Sequence, residues 1–270
     1  MRPVQIGFSI NEILFLISLA TGLCWVAWRL KLRRMSEPPA KKPLWVSFGS
    51  ELFIVVALMF TCRIAVADWP KVPSGSMEPT LRVGDYLLVN HLAYGPRLPF
   101  TNTAIEMGKP ERGDVVVFRF PLDVSQFYVK RLVGLPGDRV QFRDGAVSIN
   151  GEPFDTQVLG EGTAEEDRHQ LLVRETAAGS TRTLKIDAGW LGRRSAPDHN
   201  VAELAKNCKA QDNGAWECVV PEGEYLMLGD NRDNSSDSRV WGFLPHEQVY
   251  GKAVRVLINF SDLKRAWTAL

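Results

Sequence analysis

Phe127-Tyr128-Val129-Lys130-Arg131-Leu132-Val133-Gly134-Leu135-Pro136-Gly137-Asp138 is an apolar run broken by two adjacent cations and closed by a turn signal. It reads as a β-strand over 127–133 followed by a tight reversal, because Pro136 presets φ and Gly137 accepts a positive one. On that strand Lys130 shares a face with Tyr128 and Leu132. An amine placed there loses water, and burial favours its neutral form. To work as a base near pH 7 it needs a pKa roughly three units below 10.4, worth about 4 kcal/mol. Burial can supply a shift of that size. The plainer reading of the same residue is an edge-strand lysine that discourages aggregation.

Outward from this strand, the chain from Lys71 onward loses helical period and alternates short β-rich runs with turns, the pattern of a mainly β domain. Strands are expected at 86–90, 114–120, 127–133, 139–142, 147–149, 224–228 and 249–259. Asp144-Gly145 is the strongest hairpin signal, and Pro221-Glu222-Gly223 marks another reversal. Between 150 and 220 the apolar runs shorten and Gly, Thr, Glu and Arg rise, which reads as an inserted, partly irregular subdomain. Cys208 and Cys218 fall in this insert. They either close a small disulfide loop or stay as two thiols. The four cysteines show no metal-binding spacing, so no metal is expected, and a net charge of +1 gives no case for nucleic acid.

Two apolar stretches precede the β region, over about 6–28 and 44–66, each long enough to cross a hydrocarbon core as a helix. Arg29, Lys31, Arg33, Arg34, Lys41 and Lys42 lie between them, against only Arg2 in front. The positive-inside rule makes that loop cytoplasmic and places the N-terminus and everything after Val66 on the outer side. A cleavable leader is the alternative for the first stretch, but a basic cluster directly behind it suits a stop-transfer flank. Glu51 and Arg63 in the second stretch are expected to snorkel. Ala65-Val66-Ala67 has the A-x-A form of a leader cleavage site, which raises self-clipping after Ala67.

Just past the second stretch comes Pro73-Ser74-Gly75-Ser76-Met77-Glu78-Pro79-Thr80-Leu81, a serine on a loop constrained by Pro and Gly. On composition alone it passes for a polar linker. A third polar run, Gly229-Asp230-Asn231-Arg232-Asp233-Asn234-Ser235-Ser236-Asp237-Ser238-Arg239, fails the EF-hand pattern, with Ser235 where Gly belongs and Trp241 where Glu belongs. Paired Asp and Arg side chains bracing a loop explain it better.

These segments, with Arg112-Gly113-Asp114-Val115-Val116-Val117-Phe118, resemble the bacterial signal peptidase I (leader peptidase) family in order along the chain. The resemblance implies a β-rich catalytic core over 68–149 and 221–270, an inserted β subdomain over 150–220, and a two-helix membrane anchor over 1–67. It implies a cofactor-free serine endopeptidase that removes leader peptides from exported preproteins after small residues. Its place would be the bacterial inner membrane, multi-pass, in contact with lipid, with the catalytic part on the periplasmic side. Ser76 resembles the nucleophile and Lys130 its base, while Ser235 is similar to the residue that orients the lysine. Ser74, by its hydroxyl, and Ser76, by its N–H, would form the oxyanion hole. Asp230 with Arg131 and Asp237 with Arg239 would brace the site. Val72, Pro73, Met77, Leu81 and Val129 would line the substrate pocket.

Three rivals remain on residues alone. A Ser-His-Asp protease needs one of His91, His169, His199 and His246, none of which has a recognisable partner motif. A Ser/Lys self-cleaving repressor needs a DNA-binding segment, and none is legible. A membrane-anchored peptide-binding module would keep its function without Ser76 or Lys130.

Overall fold

The computed structural model describes residues 10–35, 43–95, 107–143, 146–161, 169–177, 180–187, 201–211 and 215–270. Two helices come first. Helix α1 (Ile10–Arg33) and helix α2 (Leu44–Thr61) pack against each other, and α2 continues through a π-helical turn over Cys62–Val66. Their contacts run in opposite order along the two chains: Phe15 meets Phe60, Trp25 meets Phe53, and Gly49 lies against Cys24. The pair is therefore an antiparallel hairpin. Gly22 makes close approach possible, since a Cβ there would sit 2.9 Å from the Phe53 ring. Among the described residues, the helical stretch Ile13–Arg33 is long and apolar enough to cross a membrane, and Val46–Thr61 is a shorter apolar helix. Glu51 is exposed and accepts a hydrogen bond from Ser47 Oγ at 3.1 Å. Arg63 is not extended toward headgroups as expected from its position. It is buried, pairs with Asp68 at 2.7 Å and stacks over the Trp69 ring.

The rest is mainly β, in three antiparallel sheets. The strands in chain order are β1 (Ala67–Asp68), β2 (Asp85–Asn90), β3 (Val115–Phe120), β4 (Asp123–Gly134), β5 (Arg139–Arg143), β6 (Ala146–Ile149) and β7 (Glu152–Pro153). They continue with β8 (Asp155–Glu161), β9 (Gln170–Ala177), β10 (Ser180–Asp187), β11 (Cys208–Ala210), β12 (Trp216–Val219), β13 (Glu224–Leu228), β14 (Leu244–Pro245) and β15 (Val249–Asn259). The large sheet has the order β1-β2-β15-β3-β4-β13-β14, the second β11-β12-β5-β6-β7 and the third β10-β9-β8. All seven expected strands form. Strand β4 runs further back than the expected 127–133, because it pairs with β3 as far as Asp123 opposite Phe120. Strands β5 and β6 pair with Arg143 opposite Ala146, while the Asp144-Gly145 turn between them lies outside the described residues. Ala67 pairs with Asn90, and the Val66 carbonyl accepts from His91 N, so the bond after Ala67 is held within the sheet.

The alternation of β3 explains why the large sheet is covered on both faces. Val115 and Val117 join Val72, Met77, Leu81 and Leu87 on one side. Val116 and Phe118 join Leu132, Met227 and Trp241 on the other. The stretch 150–220 is more regular than its composition suggests. Strand β8 is exposed along its whole length and so lacks apolar alternation, and β9 and β10 bury the charged Glu175, Arg182 and Lys185 at inward positions. Beyond residue 200 this stretch returns to the second sheet, where Leu204, Cys208 and Cys218 pack with Val140 and Phe142 of β5. Sheet pairing thus crosses the expected boundary at 150. Cys208 and Cys218 sit directly opposite each other on β11 and β12 and are joined as a disulfide; Cys24 and Cys62 are free.

Candidate active site

The loop carrying Ser76 is pinned from below. Met77 and Leu81 are wholly buried, and Leu81 N donates to the Met77 carbonyl at 2.9 Å, making one turn whose two apolar side chains anchor it in the core. Upstream, Lys71 bridges to Tyr86, and Val72 N donates to Asp85 O at 2.8 Å, so the approach to Ser74 is extended and fixed along β2. Ser74 Oγ lies 3.5 Å from Ser76 Oγ.

Lys130 comes from the point where β4 passes from exposed to buried. Its Nζ donates to Ser76 Oγ at 2.7 Å and to the Val129 carbonyl at 3.1 Å, and lies 5.4 Å from the centre of the Tyr128 ring. The residue is only 4% exposed. Burial pushes the ammonium pKa down to about 8, against the opposing pull of Asp237 and Asp230. A protonated lysine can only donate; the neutral amine can take a proton from the serine. The two groups, 54 positions apart in sequence, are thus brought within hydrogen-bond reach of each other.

The 229–239 run braces the site with buried ion pairs. Asp230 is held in a two-bond fork by Arg131, Nε to Oδ1 at 2.8 Å and Nη2 to Oδ2 at 2.6 Å, and Thr80 Oγ1 adds a third bond at 2.6 Å. Asp237 receives a similar fork from Arg239, both bonds 2.8 Å, and a bond from Gly229 N at 3.0 Å. Burial works to raise both carboxyl pKa values, yet the facing guanidinium charges and hydrogen bonds outweigh it and hold each below the ordinary range. Ser235 is buried beside them. Its hydroxyl makes no hydrogen bond of ordinary geometry among the described residues, although it lies near enough to Asp237 to favour the charged carboxylate. The described bonds of Lys130 Nζ therefore do not include one from Ser235.

A cleft of about 450 Å³ opens over Ser76 and Lys130. Val72, Pro73 and Val129 line it as the sequence suggests, together with Leu87, Val117 and Phe127. Met77 and Leu81 do not line it: the turn that anchors Ser76 directs both into the core beneath. His91 and His246 hydrogen bond to the Tyr250 carbonyl and the Tyr225 hydroxyl, no described histidine lines the cleft, and His199 lies outside the described residues. Among the described residues no three His, Cys, Asp or Glu side chains converge to hold a metal ion.

Some site residues were not singled out from sequence. Asn231 donates from its backbone N to Ser76 O and from Nδ2 to Gly75 O, both at 3.1 Å. Glu175 of β9 forms a buried cluster with Arg182 of β10 and Arg232 of the bracing loop. The one sequence signal was a pair of opposite charges, Glu175 and Arg182, which lie directly opposite each other on β9 and β10.

A family model described as signal peptidase, peptidase S26, matches residues 45–258. The chain belongs to this family of hydrolases, and is a signal peptidase by type. It is 38% identical over 236 residues to a signal peptidase I of Pseudomonas fluorescens, covering 83% of this chain and 76% of that protein. It is 35% identical, with the same coverage, to a signal peptidase I of Pseudomonas aeruginosa. A solved signal peptidase I from Enterococcus faecalis is 26% identical, with a TM-score of 0.30, covering 54% of this chain and 98% of that one.

Proposed function

We propose that the chain is a membrane-bound serine endopeptidase in which Ser76 attacks the peptide carbonyl after a small residue of an A-x-A site and neutral Lys130 takes its proton. The observation that carries this reading is the 2.7 Å contact between Lys130 Nζ and Ser76 Oγ at a lysine almost closed to solvent. As the Oγ–C bond forms, the serine proton passes to Nζ. The ammonium then gives a proton to the departing amine, and the peptide C–N bond breaks to leave an acyl-enzyme. A water deprotonated by the same amine hydrolyses the ester. The Ser76 N–H and Ser74 hydroxyl would stabilise the oxyanion. Ser235 would orient the lysine.

The substrate would enter extended along the 70–74 segment, its alternate side chains directed into a cleft whose apolar walls leave room for small groups. Anchorage follows from the two apolar helices: 44–66 is helical almost without break, about 34 Å at 1.5 Å per residue, so that both stretches span and the loop at 29–43 is cytoplasmic. The catalytic parts, 68–149 and 221–270 with the 150–220 insert, then lie on the periplasmic side. Leu122, Val124 and Phe127 are exposed on β4 and the turn before it, an apolar rim suited to lipid.

The test is incubation of the detergent-solubilised chain with a preprotein bearing an A-x-A site, followed by N-terminal sequencing of the product. Cleavage after the second Ala is expected, with none in Ser76→Ala. The active amine is the deprotonated form, so the rate should rise with pH to a plateau, half-maximal near 8 and falling about tenfold per unit below that. A flat profile between pH 6 and 9 would remove Lys130 as the base.

Gly229→Ala tests the packing of the site. A Cβ there would meet the Ser235 side chain and come within 2.5 Å of the Ser76 carbonyl, so one of them must move. Turnover is expected to fall by at least about tenfold with thermal stability less affected. Wild-type turnover in this variant would show that the loop tolerates displacement.

A further inference from the structure

We propose that Lys185, supplied by the β9–β10 hairpin, is a positioning residue for Ser76 and acts through the carboxylate of Glu78. The proposal rests on the Ser76/Lys130 reading and concerns what holds the serine in place. Lys185 Nζ is almost fully buried and donates to Glu78 Oε2 at 3.0 Å. The other oxygen of that carboxylate backs Gly75, where an added Cβ would come within 2.9 Å of Oε1. Glu78 N also donates to the Gly75 carbonyl at 3.1 Å. The residue immediately before the nucleophile is therefore supported by a carboxylate that Lys185 fixes.

The backbone of Lys185 grips the same loop from another side. Its N donates to Asp230 O and its carbonyl accepts from Arg232 N, each at 2.9 Å. Between those two residues lies Asn231, which donates to the carbonyls of both Ser76 and Gly75. One residue of the hairpin thus holds the nucleophile loop through its main chain by way of Asn231 and through its side chain by way of Glu78. The loop needs this support, since Ser74 is exposed and Gly75 and Ser76 are half-buried. A displacement of about 1 Å at a nucleophile can cost on the order of 100-fold in rate. An ion pair that served stability alone would leave turnover untouched. The Lys130 pKa is set first by burial and then by Asp237 and Asp230, so the loss of Lys185 is expected to leave the rate–pH midpoint close to its place.

The full-length chain in detergent provides the test, as Lys185→Met, Glu78→Gln and the double variant, with Lys185→Arg as the conservative replacement. Each of the first three is expected to lower kcat about 10- to 100-fold with KM within about twofold. The double variant should be no worse than the poorer single one, because the two residues act as a unit. The rate–pH midpoint should stay near 8, and Lys185→Arg should recover much of the rate. Backbone amides of 75–80 should exchange hydrogen faster in Lys185→Met than in wild type. Glu78 is partly exposed, so Glu78→Gln keeps the test alive if Lys185→Met fails to fold. Unchanged kcat, a loss confined to KM, or additive losses in the double variant would overturn the proposal. If Ser76→Ala still cleaves like wild type, the dyad reading fails instead, and amide exchange alone decides: faster exchange at 75–80 supports the positioning role and unchanged exchange overturns it.

Discussion

Lys130→Met is expected to abolish preprotein cleavage, by at least about 10⁴-fold, while making the protein more stable at pH 6 to 7. On the proposed mechanism the loss of rate follows from removing the group that would accept the serine proton. The gain in stability follows from the direction of the pKa shift. Lys130 falls from 10.5 in the free amine to about 8 in the folded chain, so the folded form releases its proton first. Between those two values the unfolded chain holds more protons and stability rises with pH; below 8 both forms are charged and the burial penalty is present in full. A shift of that size corresponds to about 3 kcal/mol, part of which the lost bonds to Ser76 Oγ and the Val129 carbonyl offset. Thermal unfolding at pH 6 and at pH 10 measures it. The variant's advantage should shrink at the higher pH, and a variant less stable than wild type at pH 6 would mean that the amine is not held under desolvation.

Glu175→Ala is expected to have the largest effect on stability. Glu175 is 1% exposed and is the carboxylate partner of both Arg182 and Arg232. Burial raises its pKa, but the two guanidinium charges prevail and keep it ionised. Removing it leaves two buried cations facing each other, which costs about 3 to 5 kcal/mol. For a chain of this size that corresponds to a drop of about 10 °C in Tm. The damage should be local first: the β9–β10 hairpin separates from the 229–239 loop, and limited proteolysis should cut between 150 and 190 before the rest of the fold yields. Glu175→Gln should lose nearly as much, because it restores shape without charge. A Glu175→Gln variant as stable as wild type would show that hydrogen bonding, not charge, joins the hairpin to the loop.

The large sheet was legible because its strands are short β-rich runs bounded by turn residues, as β2 and β3 are. Lys130 stood out as a lysine that breaks an apolar face, and it is buried within 2.7 Å of Ser76 Oγ. The insert was not legible. Strand β8 has no buried side, and the inward positions of β9 and β10 hold charges that become tolerable only when paired across strands or with the distant Arg232. Nor could sequence tell that Met77 and Leu81 turn under the cleft, since that depends on the single turn they themselves build. Ser235 is buried beside Asp237, and its residue type alone does not tell which neighbour its hydroxyl serves.

The joint between α2 and the sheet is braced: Arg63 reaches across it to Asp68 and sits 4.7 Å from the centre of the Trp69 ring, and Ala67 is already paired with Asn90. With α2 seated in a bilayer, the stretch from Val66 to Ser76 can extend no more than about 35 Å, and its pairing keeps it shorter. On the membrane-bound reading proposed above, the enzyme would be a ruler as much as a blade, reaching peptide bonds at one height above the lipid and passing over equally suitable sequences that lie farther out.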